Sequence, residues 1–150
     1  MTPDDHAPTP LVRKLGLKPG MRVRLLHPPR GYWKLLGATP ESLGIQALFL
    51  PESGVAEDAG AVDFTHLFAT DLHSIRDRFA RARDGMAEDG MVWASWPKKS
   101  SDTPSEIGRS EVMTAGKARG LVDIKVCSVD ETWSGLKFVI PVEDRARGDG

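Results

Sequence analysis

Apolar residues fall along this chain in short, bounded runs whose period changes from one run to the next. Leu72, Ile75, Phe79, Ala82 and Met86 are spaced by three and four, which predicts an amphipathic helix over 71–86 capped by Asp71. Val62 to Ala69 is nearly all apolar and β-prone, the pattern of a strand covered on both faces. Met91 to Trp96, stopped by Pro97, and Leu121 to Val129 read as further strands. Shorter strands are predicted at Met21–Leu26, Ile45–Leu50 and Leu136–Ile140. Thr9-Pro10 opens a short helix whose apolar face is Leu11, Val12 and Leu15 and whose stop is Gly16. Tyr32 to Leu36 suits one or two helical turns, ended by Gly37. Thr103-Pro104-Ser105-Glu106 fits a capping box and predicts a helix from there to about Arg119.

Strands that alternate with helices imply a three-layer α/β domain with a mostly parallel sheet of about six strands. The last two strands are joined by Asp130 to Gly135, too short a link for a parallel crossover, so they form an antiparallel hairpin. The pattern divides the chain into a polar tail over 1–8, one domain over 9–142 and a charged tail over 143–150.

Composition narrows the function classes. Twenty basic residues against twenty-one acidic ones give a net charge of −1, without the basic excess of a dedicated nucleic-acid binder. No apolar stretch reaches the roughly 18 residues of a spanning helix. The opening M-T-P-D-D-H is no signal peptide, so a cytoplasmic location is expected. Cys127 is alone, which excludes an intrachain disulfide, and it sits in an apolar run as a small hydrophobe. The four histidines show no metal-ligand spacing, and His66 reads as a hydrogen-bonded core residue. Arg76, Arg78, Arg81 and Arg83 interleave with Asp77 and Asp84 as a solvated helix face.

Three places resemble a class I methyltransferase with its Rossmann-like sheet. They are L-K-P-G-M-R-V-R-L-L at 17–26, the strand–helix–strand over 62–96 and the closing strand pair over 121–140. A closer resemblance, to a small bacterial family of unknown function, rests on T-P-L-V-R-K-L-G-L-K-P-G at 9–20, S-W-P-K-K at 95–99 and G-L-V-D-I-K-V-C-S-V-D-E-T-W-S-G-L-K at 120–137. The first resemblance implies S-adenosylmethionine, held by a glycine-rich turn after the first strand. This chain has His27-Pro28-Pro29-Arg30-Gly31 there, and two prolines remove two backbone donors. Glu52 is a weak stand-in for the acidic residue that would hold the ribose. Residues 51–61 could step across a neighbouring strand, about 36 Å when extended, so the fold looks shortened in its first half. These departures argue against ordinary methyl transfer. On the residues alone no cofactor is expected, and S-adenosylmethionine enters only through the resemblance.

Ligands of open parallel sheets sit beyond the carboxyl ends of the strands. That rim gathers His27 to Tyr32, Thr70-Asp71, Ser95 to Ser100 and Ser128 to Ser134. Ser95, Trp96, Lys98 and Lys99 combine hydroxyl, ring and ammonium groups suited to a phosphate or carboxylate. Arg30 and Tyr32 add a cation and a phenol. Asp130, Glu131, Trp133 and Ser134 add paired carboxylates for a substrate amine or a general base. Trp96 and Trp133 would sandwich a planar ligand if they face each other. Plain structural readings stand beside these: a solvated loop, helix-start packing of Tyr32 and a hairpin link turned by Gly135. The leading functional reading is a non-catalytic module that binds a small anionic or nucleotide-like ligand or a protein partner. The alternatives are a residual S-adenosylmethionine-dependent methyltransferase and an interaction protein that covers an exposed sheet edge with a second copy.

Overall fold

The strand Val62–Phe68 is buried along nearly its whole length, so both faces of the sheet around it must be covered. The computed structural model describes residues 11–48 and 62–145. Their elements are α1 (Leu11–Leu15), β1 (Arg22–Leu26), α2 (Tyr32–Leu36), α3 (Pro40–Leu43), β2 (Gln46–Leu48), β3 (Val62–Phe68), α4 (Leu72–Arg83), β4 (Met86–Pro97), α5 (Arg109–Lys117), β5 (Val122–Ser128) and β6 (Trp133–Val139). The six strands lie in the order β2-β1-β3-β4-β6-β5. The first four run parallel, β6 is antiparallel to β4, and β5 is antiparallel to β6. This is the mostly parallel sheet with a closing hairpin that the sequence predicts. The strand order reverses between β1 and β3, which makes their carboxyl ends the switch point.

Alternation along β3 sorts the two cores. Leu67 packs with Ile75 and Phe79 of α4, Val112 of α5 and Phe138 of β6. Phe64 and Phe68 pack on the opposite face with Leu15, Tyr32, Leu36 and Trp93, beneath α1 and α2. Trp93 also donates its indole N–H to the Leu15 carbonyl at 2.8 Å, which ties α1 to β4. Arg24 is buried on β1 and donates Nη2 to the carbonyls of Ala82 and Asp84 at 2.8 and 2.9 Å. Those carbonyls lie at the end of α4 and would otherwise be orphaned. Burial pushes the pKa of Arg24 down, and Asp84 opposes that shift.

Several boundaries differ from the sequence reading, each for a local reason. The helix α4 stops at Arg83 because Gly85 turns the chain at φ 75°, so Met86 opens β4 instead of closing the helix face. The capping box at Thr103 does not form. Glu106 donates its N–H to the Thr70 carbonyl at 2.8 Å instead, and Ile107 is buried beside α4. The helix α5 begins only at Arg109, where Glu111 Oε1 accepts from the Gly108 N–H at 2.8 Å. The short α3 was not expected, although Thr39-Pro40 is a cap-plus-proline signal, with Thr39 accepting from the Ser42 N–H. β6 begins at Trp133 rather than Leu136, because Asp130 turns the chain earlier. A 3-10 turn spans Val142–Asp144, and Arg145 donates Nε to the Ile140 carbonyl. Thr9-Pro10, Glu52 and the loop over 51–61 lie outside the described residues. Among the described residues no helix is long and apolar enough to cross a membrane.

Candidate ligand-binding rim

The carboxyl ends of β1, β3 and β4 open onto one rim, and each end is built differently. After β1, His27 adopts φ 56° and is the one non-glycine with positive φ among the described residues. Pro28 and Pro29 follow with no N–H to offer. Gly31 then enters α2 at φ 79°. The backbone thus keeps a tight, left-handed turn where the methyltransferase resemblance puts glycines. A histidine side chain and two prolines occupy it.

Directly beneath lies a buried polar chain. Tyr32, first residue of α2, places its hydroxyl 2.9 Å from His66 Nδ1. His66 Nε2 lies 2.8 Å from Ser95 Oγ on β4. All three residues are buried, and the His66 ring stacks on Phe68 with centroids 4.3 Å apart. Burial lowers the pKa of His66 to about 3 and raises that of Tyr32 well above the usual phenol range. His66 is therefore neutral at physiological pH. Its single N–H and one of the two hydroxyl protons make the two hydrogen bonds. One hydroxyl donates to the ring and the other accepts from it. Gly135 of β6 closes the Ser95 end: a Cβ there would meet Trp93 and Val129 at 3.2 Å and Ser95 Oγ at 3.4 Å. The sequence marks His66 as a hydrogen-bonded core residue, and these are its partners.

The third part of the rim is an open cleft of about 750 Å³ between the end of β4 and the start of α5. Lys98, Lys99 and Arg109 supply cations, and Thr103, Ser105 and Ser110 supply hydroxyls. Glu106 and Glu111 also line it. Glu111 is committed to the Gly108 N–H, and this backbone hydrogen bond is the main reason its pKa lies below the usual carboxylate value. Lys98 is partly committed too, with Nζ on Ser128 Oγ at 2.6 Å and N–H on the Thr132 carbonyl at 2.7 Å. Lys99 and Arg109 are exposed.

The residues singled out from sequence therefore separate into distinct places. Lys98 and Lys99 reach the cleft, while Tyr32 and Ser95 belong to the buried chain. Trp96 is buried in the α4/α5 core, and Trp133 packs edge-on against Phe68 on the opposite face at 5.1 Å. The two indoles cannot sandwich a ligand, because neighbouring positions of paired strands point to opposite faces. Asp130 is a turn-former, accepting from the N–H groups of Thr132 and Trp133 at 2.8 and 2.7 Å. Ser134 pairs with Trp96 in the β4–β6 ladder. Glu131 and Arg30 are exposed. Sequence reasoning missed Thr103, Ser105, Arg109 and Ser110, because it assigned the first two to a helix cap. The G-x-x-E spacing of Gly108 and Glu111 would have placed the helix start correctly and left those hydroxyls in a loop.

With this geometry the chain is a class I methyltransferase-like fold. It is similar to a S-adenosylmethionine-dependent methyltransferase from Aquifex aeolicus, with a TM-score of 0.63 at 15% identity over 87% of each chain. It is also similar to a putative type 11 methyltransferase from Sulfolobus solfataricus, with a TM-score of 0.59 at 16% identity over 97% of this chain and 96% of that one. A TehB-like S-adenosylmethionine-dependent methyltransferase from Corynebacterium glutamicum gives 0.54 at 10% identity, over 87% of this chain and 85% of that one. No protein-family model and no curated protein matches the chain. The chain spans most of each of these methyltransferases, so the shortening expected in its first half does not set its length apart from theirs. S-adenosylmethionine is the cofactor the fold implies, and the described turn after β1 does not supply the donor-rich glycine cradle, because Pro28 and Pro29 lack N–H groups.

Proposed function

We propose that this chain is a methyltransferase-fold binding module that holds a small anionic or nucleotide-like ligand in the β4–α5 cleft and does not carry out ordinary methyl transfer. The observation that supports this reading best is the cleft itself. Exposed Lys99 and Arg109 face a space of about 750 Å³ rimmed by three hydroxyl side chains. An ammonium and a guanidinium with hydroxyl donors beside them complement a phosphate or carboxylate through charge-assisted hydrogen bonds. The proline-bearing turn after β1 supports the second half of the reading.

Calorimetric titration tests both halves. With adenosine monophosphate as probe, saturable binding is expected. Lys99→Ala and Arg109→Ala should each weaken it about tenfold, the effect of losing roughly 1.4 kcal/mol of charge-assisted hydrogen bonding. Both side chains are exposed, so the variants should unfold at the wild-type temperature. S-adenosylmethionine should give no saturable heat at millimolar concentration. Unchanged nucleotide binding in both variants would remove the cleft reading, and micromolar S-adenosylmethionine binding would restore the methyltransferase one.

A further inference from the structure

We propose that Lys18, Lys125 and Lys137 form a second anion site, for a phosphate-type dianion, on the α1 face of the closing hairpin and apart from the rim cleft. Lys125 and Lys137 are direct cross-strand partners in the β5–β6 ladder. Directly opposed residues of an antiparallel pair share a face, and like charges there repel. The face is that of α1. A Cβ built on Gly16, just past α1, would lie 3.9 Å from Lys137 Nζ, and Lys125 Nζ donates to the Lys14 carbonyl at 3.4 Å. Lys18 follows Gly16 by two residues and precedes β1, and Lys137 sits opposite Trp93 in the β4–β6 ladder, which puts the cluster on the α1 face of the closing hairpin.

Among the described residues none of these three ammonium groups has an ion-pair partner. Asp77–Arg81, an ion pair among the described residues, lies on α4 across the sheet. Lys137 is half-buried, and its pKa is pushed down first by burial and then by Lys125 and Lys18, with no carboxylate opposing the shift. The carboxyl end of α1 offers at most roughly half a negative charge to one of the three ammonium groups. A helix of five residues does not account for two cross-strand lysines drawn to its end. A dianion does. Lysines bind phosphate as point charges, and the nearby Trp93 ring is fully buried, so no ring is offered for a base to stack on. The group recognised is therefore the phosphate itself.

Inorganic phosphate is the probe, with thermal unfolding followed at constant ionic strength against chloride. Wild-type protein should gain about 3 °C at saturating phosphate. Lys125→Met/Lys137→Met should lose that gain, and it should melt higher than wild type in phosphate-free, low-salt buffer because the repulsion is gone. Lys125 is exposed, so Lys125→Gln alone keeps the fold and should weaken the phosphate response about tenfold. The rim variants Lys99→Ala and Arg109→Ala should keep the response, which separates this site from the cleft. A phosphate effect no larger than that of chloride, or one that survives in the double variant, would overturn the proposal. Stabilisation by a poly-glutamate peptide but not by phosphate would assign the cluster to an acidic protein segment instead.

Discussion

Tyr32, His66 and Ser95 show how much a single buried ring constrains. A fully buried imidazole can be tolerated when it is neutral and both nitrogens are bonded, and here both are. The consequence is a pH dependence with a definite sign. The folded pKa of about 3 lies below the free value of 6.5, so the unfolded chain binds a proton that the native chain refuses. Stability is complete above pH 6.5 and falls as the pH drops toward 3. Between pH 7 and 5 this residue alone should remove roughly 2 kcal/mol, at about 1.4 kcal/mol per pH unit once the free histidine is protonated. Urea unfolding at the two pH values measures it. His66→Gln should show a flatter dependence, and an equal slope in both proteins would place the titration elsewhere. At this scale the sequence carries half the information. The apolar run around His66 marks it as core, but Tyr32 and Ser95 lie 34 and 29 residues away, and no local pattern joins them.

Among the elements, α5 carries the clearest test. Gly116 sits in its last turn, where alanine is the better helix former by at most roughly 1 kcal/mol. Yet a Cβ at that position would run into the Phe138 ring, which is fully buried against Phe79. The clash outweighs the propensity gain, because the ring has no room to withdraw. Gly116→Ala should therefore destabilise by about 1–3 kcal/mol, read from chemical denaturation, and a stabilised variant would contradict this packing. The same helix explains what sequence reasoning could and could not reach. Its existence is legible from Val112 and Ala115, which face the core. Its start is not, because Thr103 and Glu106 imitate a capping box while the buried Ile107 and the Glu106–Thr70 bond draw that stretch into a loop. The misplaced start hid the cleft, since the residues lining it belong to that loop. At the other end of the sheet β5 is an edge strand with Ile124 and Val126 exposed. A register shift between Asp123 and Lys125 breaks the regular ladder there, a device that makes an edge less ready to pair.

For the whole molecule, the order of strands and helices was enough to give the mostly parallel sheet and its closing hairpin. Period and turn residues determine those features locally. What lay beyond the sequence is which rim residues meet. The four rim segments do share one end of the sheet, but they divide into a buried polar chain, a hairpin turn and an open cationic cleft. The frame is methyltransferase-like, and the proposed function displaces its ligand chemistry from the turn after β1 to the end of β4. A map of backbone amide shifts during titration with adenosine monophosphate tests that displacement most directly. The account predicts that the largest shifts fall on Lys99, Thr103, Ser105, Gly108 and Arg109. Shifts centred on His27, Arg30, Gly31 and Tyr32, with the β4–α5 loop unmoved, would contradict it.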